Sequence, residues 1–133
     1  AGVAGESGAN AFNSSGWSTT SPAEIDLTDF YAFTITPNTN GTISLTELKF
    51  DERRSGSGIR QIAIRSSLDN FAADVFTTTV PDDTLTRTQT VALPAAFLNS
   101  SAAISFRIYG FGSELATGTW RIDNVIVSGS ATP

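Results

Sequence analysis

The chain contains no cysteine, no histidine and no methionine. Each absence removes chemistry. Without Cys there are no disulfides, no thiol nucleophile and no thiolate zinc site. Without His there is no imidazole base and no Ser-His-Asp triad. Zinc and copper are poorly served by carboxylates alone. Lysine is nearly absent too. Lys49 stands beside seven Arg, and these eight basic residues face 13 Asp and Glu for a net charge of -5. Proteins that track phosphates carry a basic surplus, so nucleic acid is not an expected partner and anionic membranes are disfavoured. No apolar run reaches the length of a membrane span, so membrane insertion is not expected. No glycine-rich phosphate loop ends in Lys. The hydrolytic chemistry left is a carboxylate pair, as in glycosidases. No Asp or Glu stands out by spacing, and most lie beside turn residues or strand ends. The chain is therefore expected not to be an enzyme.

The lack of Met extends to position 1, which reads as a mature chain after removal of a signal peptide. The polar residues are mainly Ser and Thr, which sit well on the solvent face of strands. Both features suggest an extracellular or cell-surface protein. A length of 133 residues suits one domain, residues 1–133, with a core large enough to fold without disulfides. Residues 1–11 form a small-residue, Gly-containing leader. Such segments seldom order alone, and this one is expected to dock on a neighbouring molecule.

The remainder alternates in the manner of short strands. Tyr31, Phe33 and Ile35 share a parity that Pro37 and Asn38 to Gly41 terminate. Ile43 and Leu45 share another, but Leu48 and Phe50 fall on the opposite parity, so a β-bulge is expected near Glu47. Trp120 and Ile122 are likewise out of step with Val125 and Val127, placing a second bulge at Asp123-Asn124. Ile62 with Ile64, and Ile104 with Phe106 and Ile108, mark two further core strands. Helical signals are confined to Leu68 to Ala73 and Pro94 to Asn99. This pattern predicts an all-β fold: a two-sheet antiparallel sandwich, jelly-roll-like as first choice and immunoglobulin-like as second.

Candidate sites are of three kinds. Arg53 and Arg54, before Ser55 to Gly58, could bind an anion or sugar hydroxyls with their guanidinium forks, or simply pair with Asp51 or Glu52 in a hairpin loop. Trp17, Tyr109 and Phe111 could offer a stacking face to a sugar ring, Trp120 being expected in the core and Tyr109 exposed by parity. Asp82 and Asp83 are the leading ligands for a structural calcium, with Asp26, Asp29, Asp69 and Asp123 as others, although no calcium-loop motif is present and isolated Asp usually caps its own turn. No other cofactor is implied. Asn13, Asn40 and Asn99 match the glycosylation acceptor pattern, which arises readily by chance in so Ser/Thr-rich a chain.

The segments Phe50-Asp51 with Arg54-Ser55-Gly56, Ile64 to Phe71, Phe106 to Gly110 and Gly118 to Val125 resemble a β-sandwich domain of secreted bacterial proteins. That domain occurs in surface proteins sorted by a C-terminal PEP-type signal (PEP-CTERM) and as an accessory of extracellular enzymes. The resemblance implies an extracellular, non-catalytic sandwich and assigns no ligand. Arg65, Arg107 and Arg121 lie within the strands of these segments. They are expected to be structural, paired with carboxylates such as Asp51, Asp69 or Asp123.

Two roles fit these features. The first is a structural subunit of a filament, sheath or matrix that self-associates through its leader. The alternative is a carbohydrate-binding module that holds an extracellular polysaccharide.

Overall fold

The computed structural model describes residues 2–5 and 12–133; Ala1 and residues 6–11 lie outside the described residues. Among the described residues there are nine strands: β1 (Ala4–Gly5), β2 (Phe12–Ser15), β3 (Phe30–Ile35), β4 (Thr42–Arg54), β5 (Gln61–Ser66), β6 (Phe76–Thr79), β7 (Arg87–Ala92), β8 (Ile104–Phe111) and β9 (Trp120–Thr132). They form two antiparallel sheets, ordered β1-β2-β9-β4-β7 and β3-β8-β5-β6. The pairs β2·β9, β3·β8, β4·β7 and β5·β6 are those of one long antiparallel ribbon folded at its middle. The further pairs β4·β9 and β5·β8 show that ribbon rolled up. This is a jelly roll rather than an immunoglobulin-like sandwich. The helical signals become two single 3-10 turns, Ser67–Asp69 and Ala95–Phe97.

The inward residues of the two sheets meet in one hydrophobic cluster. Leu48, Phe50, Ile62, Ile64, Ile104 and Phe106 are fully buried, each worth about 1.5–3 kcal/mol relative to exposure. Trp17, Tyr31 and Trp120 extend it as an aromatic group with ring centroids 5.2–5.5 Å apart. Their polar atoms are satisfied on the spot, as burial requires. The Trp17 indole donates to the Ser14 carbonyl at 2.9 Å, and the Tyr31 hydroxyl to the Trp120 carbonyl at 2.6 Å. Burial pushes the Tyr31 phenol up to about 12. Gly110 has no room for a side chain: a Cβ there would stand 3.0 Å from the Trp120 ring.

Both bulges are where the parity switches place them. The β4·β9 register shifts between Leu45 and Glu47, so Leu45 and Leu48 both face the core. It shifts again between Lys49 and Asp51, whose partners are Ile126 and Asp123. Asn124, in the residue excess, has φ 50°, a left-handed conformation that Asn tolerates.

The first residues of the leader lie along β2. Ala4 and Gly5 pair with Ser15 and Ser14 of the same chain, and the Gly2 N–H donates to Asp29 at 2.7 Å. The docking expected of residues 6–11 lies outside the described residues.

Arg54 is the largest charged side chain in the interior, with no exposed surface. The sequence offers it as a ligand-site residue or as a loop ion pair with Asp51 or Glu52; the structure places it at the junction of three loops, paired with Asp82 and Glu114 instead. It donates to Asp82 at 2.9 Å, to Glu114, and to the carbonyls of Asp83, Gly56 and Gly58 at 3.2 Å each. Its carboxylate partners are partly exposed and can resolvate, but the loop carbonyls lose their donor if it is removed. Arg54→Ala is expected to cost about 3 kcal/mol, read as a lower urea midpoint at unchanged slope. A loss under about 1 kcal/mol would contradict this role.

Candidate functional site

The outward residues of β4 and β9 form a polar surface across the middle of the five-stranded sheet. Arg53 stands directly opposite Arg121, and Asp51 directly opposite Asp123. Like charges facing each other across strands are destabilising, yet two such pairs lie side by side here. A depression of ≈ 170 Å³ lies over them, lined by both pairs with Glu52, Thr86 and Asn124. A second, of ≈ 130 Å³, shares the two arginines and adds Arg54, Ser55, Thr84 and Thr119. The arginines belong to both, so the two depressions are the ends of one groove.

Local chemistry fixes the walls. The Arg53 Nε donates to the Thr84 carbonyl at 2.8 Å. Asp51 accepts the Thr88 hydroxyl at 2.6 Å and the Asn124 amide at 2.9 Å. These two hydrogen bonds hold the Asp51 carboxyl below its ordinary value. Asp123 accepts the Asn124 N–H at 2.8 Å, so the bulge ties the acidic end together. The groove thus presents carboxyl acceptors at one end and guanidinium donors at the other, all carried on strands.

Four residues singled out in the sequence meet here. Arg53 was expected at a ligand site; Arg121, Asp51 and Asp123 were expected as structural ion pairs. None of those three forms an ion pair within 4 Å among the described residues. Thr84, Thr86 and Asn124 were not foreseen as lining. Asn124 had a signal, since the parity break marks its bulge, whereas the threonines are two among many.

The other candidates are placed elsewhere. Trp17 is only 1 % exposed, because it completes the aromatic end of the core. Tyr109 is fully buried although parity correctly turns it away from the core: Phe30 packs on it at 5.6 Å and Arg65 lies 5.9 Å over its ring. Phe111, half-buried on β8, therefore has no ring platform to join. Arg65 pairs with Asp74 at 2.8 Å rather than with the expected acids. Arg107 is held by rings, with Phe30 at 4.5 Å and Phe71 at 3.8 Å from its guanidinium. Asp69 caps the Ala72 and Ala73 N–H groups. Asp82 is engaged by Arg54 and Arg60, and Asp83 by Arg87. The two carboxylates offered for calcium are thus already neutralised by arginine, and no three metal-ligating side chains converge among the described residues.

An apolar slot of ≈ 300 Å³ opens beside β3, lined by Phe12, Tyr31, Phe33, Ile122 and Val125 among others. It has no charged side chain to orient a ligand.

A glycosidase needs an accessible carboxylic acid of raised pKa beside a carboxylate. Asp51 is shifted the opposite way. The raised carboxyl is Glu52, lifted by burial against the pull of the Trp120 indole and Arg87, and its side chain has no exposed surface. Glu52 favours its protonated form in the fold. Its contribution is therefore full below its ordinary value of 4.5 and is lost as pH rises through the raised folded value. Asp51 and Asp83 are depressed from 3.8 and lose their contributions only as pH falls below that value, so the windows do not overlap. Glu52→Gln is expected to gain stability relative to the parent as pH rises from about 4 to about 7. Urea midpoints of the two proteins across that range test it; a constant difference would contradict it.

No protein-family model matches the chain, and no curated protein sequence matches it. Solved structures do. A structure titled "CBM4 structure and function" aligns over 94% of this chain and 87% of its own, at 12% identity and a TM-score of 0.56. The K1 cleaved adhesin domain of Lys-gingipain from Porphyromonas gingivalis aligns over 90% of this chain and 74% of its own, at 14% identity and 0.54. The K3 cleaved adhesin domain of the same protein aligns over 89% and 72%, at 14% identity and 0.53. At these identities the likeness is one of fold. That fold is a two-sheet β-sandwich.

Proposed function

We propose that this chain is a non-catalytic carbohydrate-binding module of a secreted protein, and that the groove between Arg121 and Asp51 is its glycan site. The observation that carries the reading is the composition of that groove. Sugars offer closely spaced hydroxyls that both donate and accept. Asp51 and Asp123 accept from them, while Arg53, Arg121 and Asn124 donate. The side chains are spaced by the sheet itself, which preorganises them. With Trp17 and Tyr109 buried, recognition rests on hydrogen bonds rather than ring stacking. The likeness to a carbohydrate-binding module and to adhesin domains supports the reading, and with it an extracellular location. Membership of the PEP-CTERM-sorted surface proteins is the finer form of the same proposal.

The competing role, a self-assembling filament subunit, has less behind it. Its motive was an N-terminal segment docked on a neighbour, and Gly2 to Gly5 is engaged within its own molecule. Filaments in native electron micrographs would restore that role.

Affinity electrophoresis through gels containing a panel of neutral and acidic polysaccharides tests the proposal. Retardation by at least one polymer is expected, and none by any would overturn it. Asp123→Ala should weaken that retardation several-fold. Its stability should change by no more than about 0.5 kcal/mol, since Asp123 has only a local bond to lose.

A further inference from the structure

We infer that the arginine end of the groove takes an oxyanion carried by the glycan, a uronate carboxylate or a sulfate half-ester. This rests on the carbohydrate reading and names the substrate class within it.

The argument begins with how the seven arginines are used. Arg54, Arg60, Arg65 and Arg87 each have a carboxylate within 4 Å. Arg107 has none but lies between two phenyl rings. Arg53 and Arg121 have neither a carboxylate nor a ring among the described residues, and they are the two that face each other across β4 and β9. In a chain with net charge -5, acids to neutralise them are plentiful. Two acids stand on the same face, two residues away along each strand, and are turned to other work. Asp51 is held by Thr88 and Asn124, and Asp123 by the Asn124 N–H. The arginine pair is thus left with its repulsion unrelieved.

The geometry around the pair suits an oxyanion. Arg53 is pinned through Nε to the Thr84 carbonyl, which fixes the plane of its fork and leaves its terminal nitrogens for a ligand. The recess of ≈ 130 Å³ beside it is lined by these arginines, the inward-turned Arg54, and Ser55, Thr84 and Thr119, with no carboxylate on its wall. An anion seated there would bridge two guanidinium groups through charge-assisted hydrogen bonds. The acidic end of the groove would repel the same anion and accept neutral hydroxyls, so a charged sugar could enter in one orientation only. The net negative charge of the protein does not prevent contact, because opposing charges beyond about 8 Å are screened at physiological ionic strength.

The test uses matched polymers that differ in charge alone. Polygalacturonate is compared with its fully methyl-esterified form, and dextran sulfate with dextran, by calorimetry or affinity electrophoresis. The first pair reports on carboxylate and the second on sulfate. Binding at least about tenfold tighter to the charged member of one pair is expected, as two charge-assisted contacts would give. In the double variant Arg53→Gln/Arg121→Gln that advantage should vanish, while affinity for the uncharged member stays within about twofold. Lys49→Gln, on the same face but outside the recess, should leave the advantage intact. Equal affinity for charged and uncharged members, or an advantage that survives the double variant, overturns the anion assignment alone. Absence of binding to all four polymers overturns the anion assignment, and the carbohydrate reading falls with it only if the wider polysaccharide panel also fails to bind. A cooperative urea transition of the double variant serves as the folding control.

Discussion

Strands β4 and β9 run antiparallel for 13 residues each, and their pairing organises the molecule. On its inner side it supplies Leu48, Phe50, Trp120 and Ile122 to the core. On its outer side it sets Arg53 against Arg121 and Asp51 against Asp123. Antiparallel pairing allows no other arrangement, because residues opposite each other across a ladder face the same way. The core and the groove are therefore two faces of one structure. A register slip of one residue would expose the first and bury the second. The two bulges matter for the same reason. They let strands with a broken hydrophobic parity keep their apolar residues inside, and the second brings Asn124 beside Asp51.

Charge is distributed by function within this frame. A guanidinium inside the protein needs partners, and Arg54 meets that need with carboxylates and loop carbonyls. Through them it joins the loop after β4, the segment before β7 and the loop between β8 and β9, beside one end of the groove. The floor of the groove is thus held by a buried ion network while its rim remains available. Glu52 and Asp51 show the same division in the acids. Neighbours along β4, they face opposite sides of the sheet. One is pushed up by burial and the other held down by hydrogen bonds.

Much of the architecture could be read from residue order. Period-two alternation around Phe33, Ile64 and Phe106, broken by turn residues, specifies strands because side chains on a strand alternate between faces. Parity also located both bulges, since an extra residue must shift it. Those rules are local, and so they held. Burial of Tyr109 was not local. Its parity was read correctly, but the outer face of its sheet is covered by Phe30 and by Arg65, which come from elsewhere in the chain. Arg65, Arg107 and Arg121 look alike in sequence, each within a strand and near an Asp. One has a carboxylate, one has two aromatic rings and one faces another arginine.

By itself, then, the sequence determined the class of the protein and much of its chemistry by exclusion: an all-β chain without thiols or imidazoles and with few lysines. Composition and periodicity carry that information because they act residue by residue. The groove was decided only by the tertiary structure. Its four principal side chains lie about 70 residues apart in two strands, and nothing in either segment indicates which residue of the other stands opposite. That depends on the rolled ribbon and on two bulges that set the register. The same physics separates a candidate binding arginine from a structural one: what matters is which neighbour the long-range pairing delivers.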